Sequence, residues 1–242
     1  MDEDIRIRKR GPGVRAHPEL TSDTTALSLQ NRVTPFGEIV ACGGRGLIMG
    51  NRGILHDDQR RIVRYAQLRR WIACLTEFKG IRRIIMRPHS WTELFFLDEA
   101  TSFAAGHRPC AECRREDYRR FCGFWKTCFG EPVGADLIDR QLHRDRLVGP
   151  RIKMTYRSDL ASLPDGAYVA IENRAWLVWR DALLAWSPQG YSEIRKRSPR
   201  QEVDVLTPRS TVAILAAGYG VGVHPSVEVV TRQKPSRVQF SR

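Results

Sequence analysis

Two cysteines separated by two residues, Cys110 and Cys113, are the feature that most narrows the folds open to this chain. They follow Pro109 in the stretch FFLDEATSFAAGHRPCAEC, residues 95–113, and a basic segment continues after them. Thiols in the opening turn of a helix have a lowered pKa, because the helix N-terminus is positive. Such a pair favours Zn²⁺, which binds thiolate sulfur in tetrahedral geometry. We therefore predict that Cys110 and Cys113 supply half of a zinc site.

A redox role and a purely structural role for the pair also stay open. A thioredoxin-like redox centre uses the same spacing, but it needs a βαβ setting upstream, which a helix predicted over residues 98–105 does not supply. The cysteines could also be incidental buried side chains, because a free cysteine packs as a small hydrophobic residue.

A zinc site needs two further ligands from elsewhere in the chain. Cys74 is the first choice, since it lies in a β layer predicted before the pair, and His107 is the second, three residues before Cys110. His89 is a further candidate, although either histidine is more often a surface or turn residue than a ligand, and Cys128, just beyond the second helix, stays possible.

The charge of the chain indicates a polyanionic partner. Its 242 residues contain 40 Lys and Arg against 27 Asp and Glu, a formal net charge of +13. A surplus of this size is typical of proteins that neutralise nucleic-acid phosphates, and arginine favours bidentate phosphate contacts. We expect nucleic acid, with DNA favoured over RNA, to contact the arginines around the cysteine pair, which are Arg82, Arg83, Arg108, Arg114, Arg115 and Arg119.

The first residues, MDEDIRIRKRGPGVRAHP, carry charges throughout and lack the apolar core of a signal peptide. No apolar run in the sequence is long enough to span a membrane. We expect a soluble cytoplasmic protein without a membrane partner. Thiols stay reduced in that compartment, so the six cysteines are not expected to form a disulfide framework.

The pattern along the chain predicts an α+β fold. Residues 1–30 read as a flexible basic arm, and residues 31–150 as a β layer followed by the cysteine pair and helices. Residues 151–228 read as a small β-rich C-terminal part, and residues 229–242 as a basic tail.

Several elements are specific enough to be tested. Asp98 can cap a helix that Gly106 ends, and Pro109 suits the first turn of a second helix through residue 126. A third helix is predicted over residues 136–147, and an antiparallel meander over residues 166–186. The stretch from 187 to 200 reads as a mobile basic loop.

The stretch 95–113 resembles the second half of the zinc-binding domain of the Ada DNA-repair and regulatory proteins. The resemblance rests on the aromatic pair Phe95 and Phe96, the short helix, and the run AAGHRPCAEC with Cys110 and Cys113 in register. It implies that these two cysteines ligate zinc. The family's other two cysteines form an earlier CxxxC segment, where this chain reads FKGIRRIIM. One of them accepts a methyl group from DNA phosphate in that family, so this chain is not expected to carry out that repair.

These observations predict a zinc-stabilised nucleic-acid-binding protein, with no enzymatic activity assigned. One alternative is an enzyme acting on nucleic acid. A nucleobase deaminase also uses PCxxC, but its HxE or CxE partner motif is not found upstream. A metal-dependent nuclease could use His143 as a metal ligand or general base. A second alternative is a structural zinc protein whose charge serves a protein partner.

Overall fold

The computed structural model describes residues 28–81 and 83–232. The first part of the chain contains β1 Gln30–Val33, β2 Ile39–Ala41, β3 Ile48–Asn51, β4 Ile72–Leu75, β5 Leu94–Phe96, α1 Glu99–Ala104, β6 Arg108–Pro109, α2 Arg115–Phe129 and α3 Ala135–Arg146. The second part contains β7 Leu147–Gly149, β8 Ile152–Lys153, β9 Tyr156–Asp159, a 3₁₀ turn Leu160–Ser162, β10 Tyr168–Ile171, β11 Arg174–Trp179, β12 Ala182–Ser187, β13 Gly190–Lys196, β14 Glu202–Val205, α4 Arg209–Ala216 and α5 Ser226–Arg232. The predicted α+β class is confirmed. Within these residues, no helix combines the length and the apolar character needed to cross a membrane.

The N-terminal β layer is a six-stranded mixed sheet in the order β2-β1-β5-β3-β4-β6. Strand β3 runs antiparallel to β4 and β5, whereas β6 lies parallel to β4 at one edge. Gly50 lets β3 approach β4 closely, since a Cβ at that position would lie 2.2 Å from the carbonyl oxygen of Ile72. Apolar side chains including Val33, Leu94 and Phe96 are buried beneath this sheet.

The short helix α1 forms as its sequence predicts. The Asp98 carboxylate accepts a hydrogen bond from the Thr101 amide at 2.8 Å, and Gly106 follows the helix with a φ of +88°. The second helix begins later than predicted, because Pro109 lies in the edge strand β6 and α2 starts only at Arg115. The two cysteines therefore lie in the turn between β6 and α2. The third predicted helix is confirmed as α3.

The C-terminal part is a six-stranded antiparallel sheet in the order β13-β12-β11-β10-β14-β9. The predicted meander corresponds to β10, β11 and β12, and its turns place Glu172, Asn173 and Arg180 at positive φ. The prediction of a mobile loop from 187 to 200 is wrong, because β13 occupies the middle of it, Gly190–Lys196, and pairs with β12.

One hydrophobic cluster spans the boundary predicted near residue 150. Phe103, Phe121 and Leu142 from the helices pack in the same cluster as Trp176 and Val205 of the C-terminal sheet. The helices therefore share a core with this sheet.

The last described residues form the helix α5, in the region where a basic tail was predicted from residue 229. Helix α5 buries Val227 and Val230, and the Ser226 hydroxyl accepts a hydrogen bond from the Tyr191 amide at 2.8 Å. The predicted arm falls mainly on residues 1–27, and the tail mainly on residues 233–242, which both lie outside the described residues.

Candidate metal centre

Three sulfur atoms converge at the edge of the N-terminal sheet. Cys74 lies in β4, Cys110 follows β6, and Cys113 lies in the turn before α2. Their Sγ atoms all lie within 4.8 Å of one another. The register explains this geometry, because β4 and β6 are parallel and pair Ala73 with Pro109, which brings Cys74 and Cys110 to the same end of the sheet. The amide of Cys110 continues the pairing by donating to the Ala73 carbonyl at 2.9 Å.

The backbone around the cluster stabilises thiolates. The amide of Leu75 donates to Sγ of Cys113 at 3.4 Å. A hydrogen bond from the Cys74 thiol, supported by the amides of Cys113 and Glu112, lowers the pKa of Cys110 to about 5. The Cys74 thiol likewise lowers the pKa of Cys113. The hydrogen bonds from Cys74 therefore favour thiolate sulfur at this position, the form that ligates metals, while the charges of Cys110 and Cys113 oppose each other.

Cys74 behaves as the proton donor of the cluster. Its hydrogen bonds to Cys110 and Cys113, together with burial, raise the pKa of Cys74 well above that of an ordinary thiol. A metal cation at this position would displace that proton, since the thiolate is the form that ligates metals. Three sulfur ligands would then surround one ion.

The cluster lies against the sheet and is enclosed on its inner side. Cys74 and Cys110 are buried, and Met49, Trp91 and Phe95 pack around them. Cys113 is partly exposed. No fourth Cys, His, Asp or Glu from residues 28–81 and 83–232 joins the three sulfurs within the same distance. The described part of the chain therefore offers three ligands, and the cluster is reached by solvent on the side of Cys113.

No protein-family model, curated protein or solved structure matches the chain.

The second predicted partner, His107, lies away from the cluster. Its buried imidazole packs against Trp71 and Phe96, with ring centroids 5.2 and 4.6 Å away, and its Nε2 lies 3.4 Å from Nε of Arg52. Cys128 is also distant, and its thiol faces the Ala213 carbonyl. Of the predicted ligands, the structure brings together Cys74 and the CxxC pair.

The prediction that arginines near the cysteine pair bind phosphate is wrong for two of them. Arg108 is 2% exposed, and its Nε and Nη2 each donate to a carboxylate oxygen of Asp139 at 2.8 Å. Arg114 is 7% exposed and pairs with Glu99 at 2.5 Å and with Asp117 at 2.7 Å. Both guanidinium groups are neutralised inside the protein, so neither is available to an external phosphate.

The other predicted arginines lie nearer to solvent. Arg115 and Arg119 are exposed on α2, and neither forms a salt bridge with another described residue. Arg83 is half-buried, with its guanidinium carbon 5.7 Å from the centroid of the Trp91 ring, which packs against the cysteine cluster. Arg82 lies outside the described residues.

A second set of exposed cations was not predicted from the sequence. These cations come from the segment between β3 and β4, from α3, and from the turn between β7 and β8. We call them the arginine surface, and its members are Arg64, Arg69, Arg70, Arg140, Arg144 and Arg151. Arg146 of α3 donates to the Arg69 carbonyl, and Nη2 of Arg151 donates to the Val63 carbonyl at 3.1 Å. The basic run QRRIVRYAQLRR could have indicated part of this surface, but only tertiary contacts place it beside α3.

Proposed function

We propose that this chain is a zinc-stabilised nucleic-acid-binding protein. The observation that carries the zinc assignment is the convergence of Cys74, Cys110 and Cys113 within 4.8 Å on two parallel strands and the turn that follows. Zinc suits a thiolate-rich set because it has no redox chemistry and accepts tetrahedral coordination. The three cysteines would hold the ion, and a water molecule or a ligand outside this set would complete its coordination.

The bound ion would act mainly on folding. Strand β6 has only two residues, and its ladder to β4 pairs Ile72 with Arg108 and Ala73 with Pro109. An ion shared by Cys74 and Cys110 would hold this edge strand in place, because metal-binding free energy contributes directly to the stability of the folded state. The same ion would fix Cys113 and with it the start of α2.

Nucleic acid is the partner that the charge supports best. The net charge is +13, and the arginine surface presents guanidinium groups from three parts of the chain to solvent. Contacts of this kind supply sequence-independent affinity for a phosphate backbone. Arg115 and Arg119, which are exposed on α2 shortly after Cys113, are further candidate contacts.

The resemblance of residues 95–113 to the Ada zinc-binding domain favours DNA over RNA as the partner. Repair by methyl transfer is not part of the proposal, since FKGIRRIIM stands where that family has its methyl-accepting cysteine. We propose binding to DNA without a reaction on it.

Metal analysis tests the zinc assignment. Protein purified under reducing conditions is expected to contain one zinc ion per chain, and Cys74→Ser and Cys110→Ser variants are expected to lose it. Cys128→Ser is the matched control, because its half-buried thiol lies outside the cluster. Metal-free wild-type protein that is equally stable with and without a chelator would refute the assignment.

Salt titration tests the nucleic-acid assignment. We expect the affinity for a labelled DNA duplex to fall linearly on a log–log plot against salt concentration. Arg70→Gln and Arg144→Gln should each reduce the slope by roughly 1, the loss of one phosphate contact. Arg180→Gln, an exposed arginine in the turn between β11 and β12, should leave it unchanged. Binding that is absent or independent of salt would contradict the proposal and would point to a protein partner.

A further inference from the structure

A second unusual cluster lies in the protein interior and is separate from the metal centre. The guanidinium carbons of Arg52 and Arg146 lie 4.1 and 3.9 Å from the centroid of the Trp71 ring. His107 packs against the same indole and contacts Arg52 through Nε2. The positive charges of both arginines act on Lys153 of β8 and help to lower its pKa. Arg52, His107 and Arg146 are buried and Lys153 is half-buried, and we call these four basic residues the buried cation cluster.

The cluster has no acidic counterpart among the described residues. Arg52 and Arg146 are 0% and 1% exposed, and neither they nor Lys153 forms a salt bridge within residues 28–81 and 83–232. The charge of Asp139 acts on Arg146, but both of its carboxylate oxygens are bonded to Arg108. Burying cations without paired anions costs several kcal/mol per ion, so this arrangement needs compensation.

The compensation found within the described residues is neutral and incomplete. Nη1 of Arg52 donates to the Gly37 carbonyl, Nη1 of Arg146 donates to the Gly106 carbonyl, and Nζ of Lys153 donates to the Ala104 carbonyl. The faces of the Trp71 and Tyr65 rings add cation–π attraction. None of these partners carries a negative charge that could balance the cluster.

Three buried nitrogen atoms in the cluster have no hydrogen-bond partner within the described part of the chain. They are Nη2 of Arg52, Nε of Arg146 and Nδ1 of His107. Nε of Arg52 can only donate, so Nε2 of His107 must accept and the imidazole proton must lie on Nδ1. All three orphaned groups are therefore donors. An unsatisfied buried donor is costly, and three in one cationic cluster call for an acceptor with negative charge.

We propose that the buried cation cluster is a binding site for a small tetrahedral oxyanion such as inorganic phosphate. An oxyanion offers several acceptor atoms to the three donors and neutralises the surrounding charge, whereas a water molecule would supply acceptors but no charge. The aromatic rings of Trp71 and Tyr65 would keep bulk water away from the ion. Since the site lies inside the fold, it is suited to a free ion and not to the backbone of a long polymer.

The ionisation of the cluster agrees with this assignment. Burial, with the charge of Arg52 and Arg146 adding to it, lowers the pKa of Lys153 to about 7. Burial and the charge of Arg52 also lower the pKa of Arg146 to about 9. Both shifts come first from burial and then from like charges, and a bound oxyanion would oppose the second of these causes. The proposal is independent of the zinc and nucleic-acid assignments, because it uses none of the cysteines and none of the arginine surface.

Calorimetric titration of the metal-loaded full chain with sodium phosphate, at ionic strength held constant with sodium chloride, tests the proposal. We expect saturable binding of one phosphate per chain, which chloride does not reproduce. Phosphate stabilises many proteins without binding them, so stability alone is not a sufficient measurement. Phosphate binding should also raise the melting temperature in a saturable manner.

Variants locate the binding. Arg52→Gln removes one charge-assisted contact and should weaken phosphate binding at least about tenfold. Lys153→Met should weaken it as well, and it decides the question if Arg52→Gln fails to fold, because the one hydrogen bond that the Lys153 amine makes to the described residues is to the Ala104 carbonyl. Arg180→Gln changes an exposed arginine in the turn between β11 and β12, outside both the cluster and the arginine surface, and should bind phosphate as the wild type does. Absent binding, equal binding of chloride, or equal affinity in Lys153→Met and Arg180→Gln would overturn the proposal.

Discussion

The buried ion pair between Arg108 and Asp139 should be one of the strongest single stabilising contacts in the fold. It joins β6 to α3, both side chains are 5% exposed or less, and two hydrogen bonds of 2.8 Å connect them. Each hydrogen bond to a charged group contributes about 1.5–3 kcal/mol. Removing one partner also leaves the other charge buried, so Asp139→Ala should lower the free energy of unfolding by about 3–5 kcal/mol.

An exposed pair of the same geometry supplies the control. Arg174 and Glu193 form two hydrogen bonds of 2.8 and 3.0 Å on the C-terminal sheet, but their side chains are 41% and 49% exposed. Glu193→Ala should therefore cost less than about 1 kcal/mol. Urea denaturation followed by circular dichroism measures both changes.

The double variant Arg108→Met/Asp139→Leu separates the cost of an orphaned charge from the worth of the pair. It should recover most of the stability lost in Asp139→Ala, because two apolar side chains leave no buried charge behind. If Asp139→Ala costs no more than Glu193→Ala, burial does not control the strength of this contact, and the reasoning about Arg108 is wrong.

Three further changes should have measurable effects on stability. Gly106→Ala should lower the melting temperature, because Gly106 has a φ of +88° and an added Cβ would lie 2.6 Å from Cδ of Arg146. Tyr191→Phe should lower the free energy of unfolding by about 1–3 kcal/mol, since its hydroxyl donates to the buried Asp98 carboxylate at 2.6 Å; an unchanged urea midpoint would contradict this. The folded state holds Lys153 at a pKa of about 7, below its ordinary 10.5, so the unfolded chain binds more protons between these values and stability should rise with pH there. Lys153→Met should flatten that rise when urea midpoints are compared across the window in phosphate-free buffer.

The local part of the fold could be predicted because its signals are short-range. Asp98 and Gly106 bound α1 through contacts within a few residues, and the turns at Glu172 and Arg180 separate the strands of the meander. The predicted start of α2 was wrong for a physical reason. Proline lacks an amide proton, which suits the first turn of a helix and equally suits an edge strand, and Pro109 takes the second of these.

The charges around the site could not be predicted, because their partners are distant in sequence. Arginine is usually exposed, yet Arg108 meets a carboxylate 31 residues away and Arg114 meets Glu99, 15 residues away. The sequence identifies arginines as available cations, and only tertiary contacts decide which of them are neutralised. The buried cation cluster could not be predicted for the same reason, since Arg52, His107 and Arg146 are brought together only by the fold.

Cys74 was the first choice for a third ligand because it precedes the cysteine pair in a predicted β layer. Its proximity to Cys110 and Cys113 depends on the parallel register of β4 and β6, which no local sequence pattern specifies. That register is established by β6, a strand of two residues between a helix and a turn. Two residues of ladder are too few to define an edge strand alone. Side-chain contacts at the two ends of β6 also hold the strand in position. Arg108 forms an ion pair with Asp139 of α3, and Cys110 lies beside Cys74. An ion at the cysteines would therefore hold β6 at the end opposite to the ion pair. With an ion bound, the cysteine cluster and the Arg108–Asp139 contact would support the two ends of one short strand.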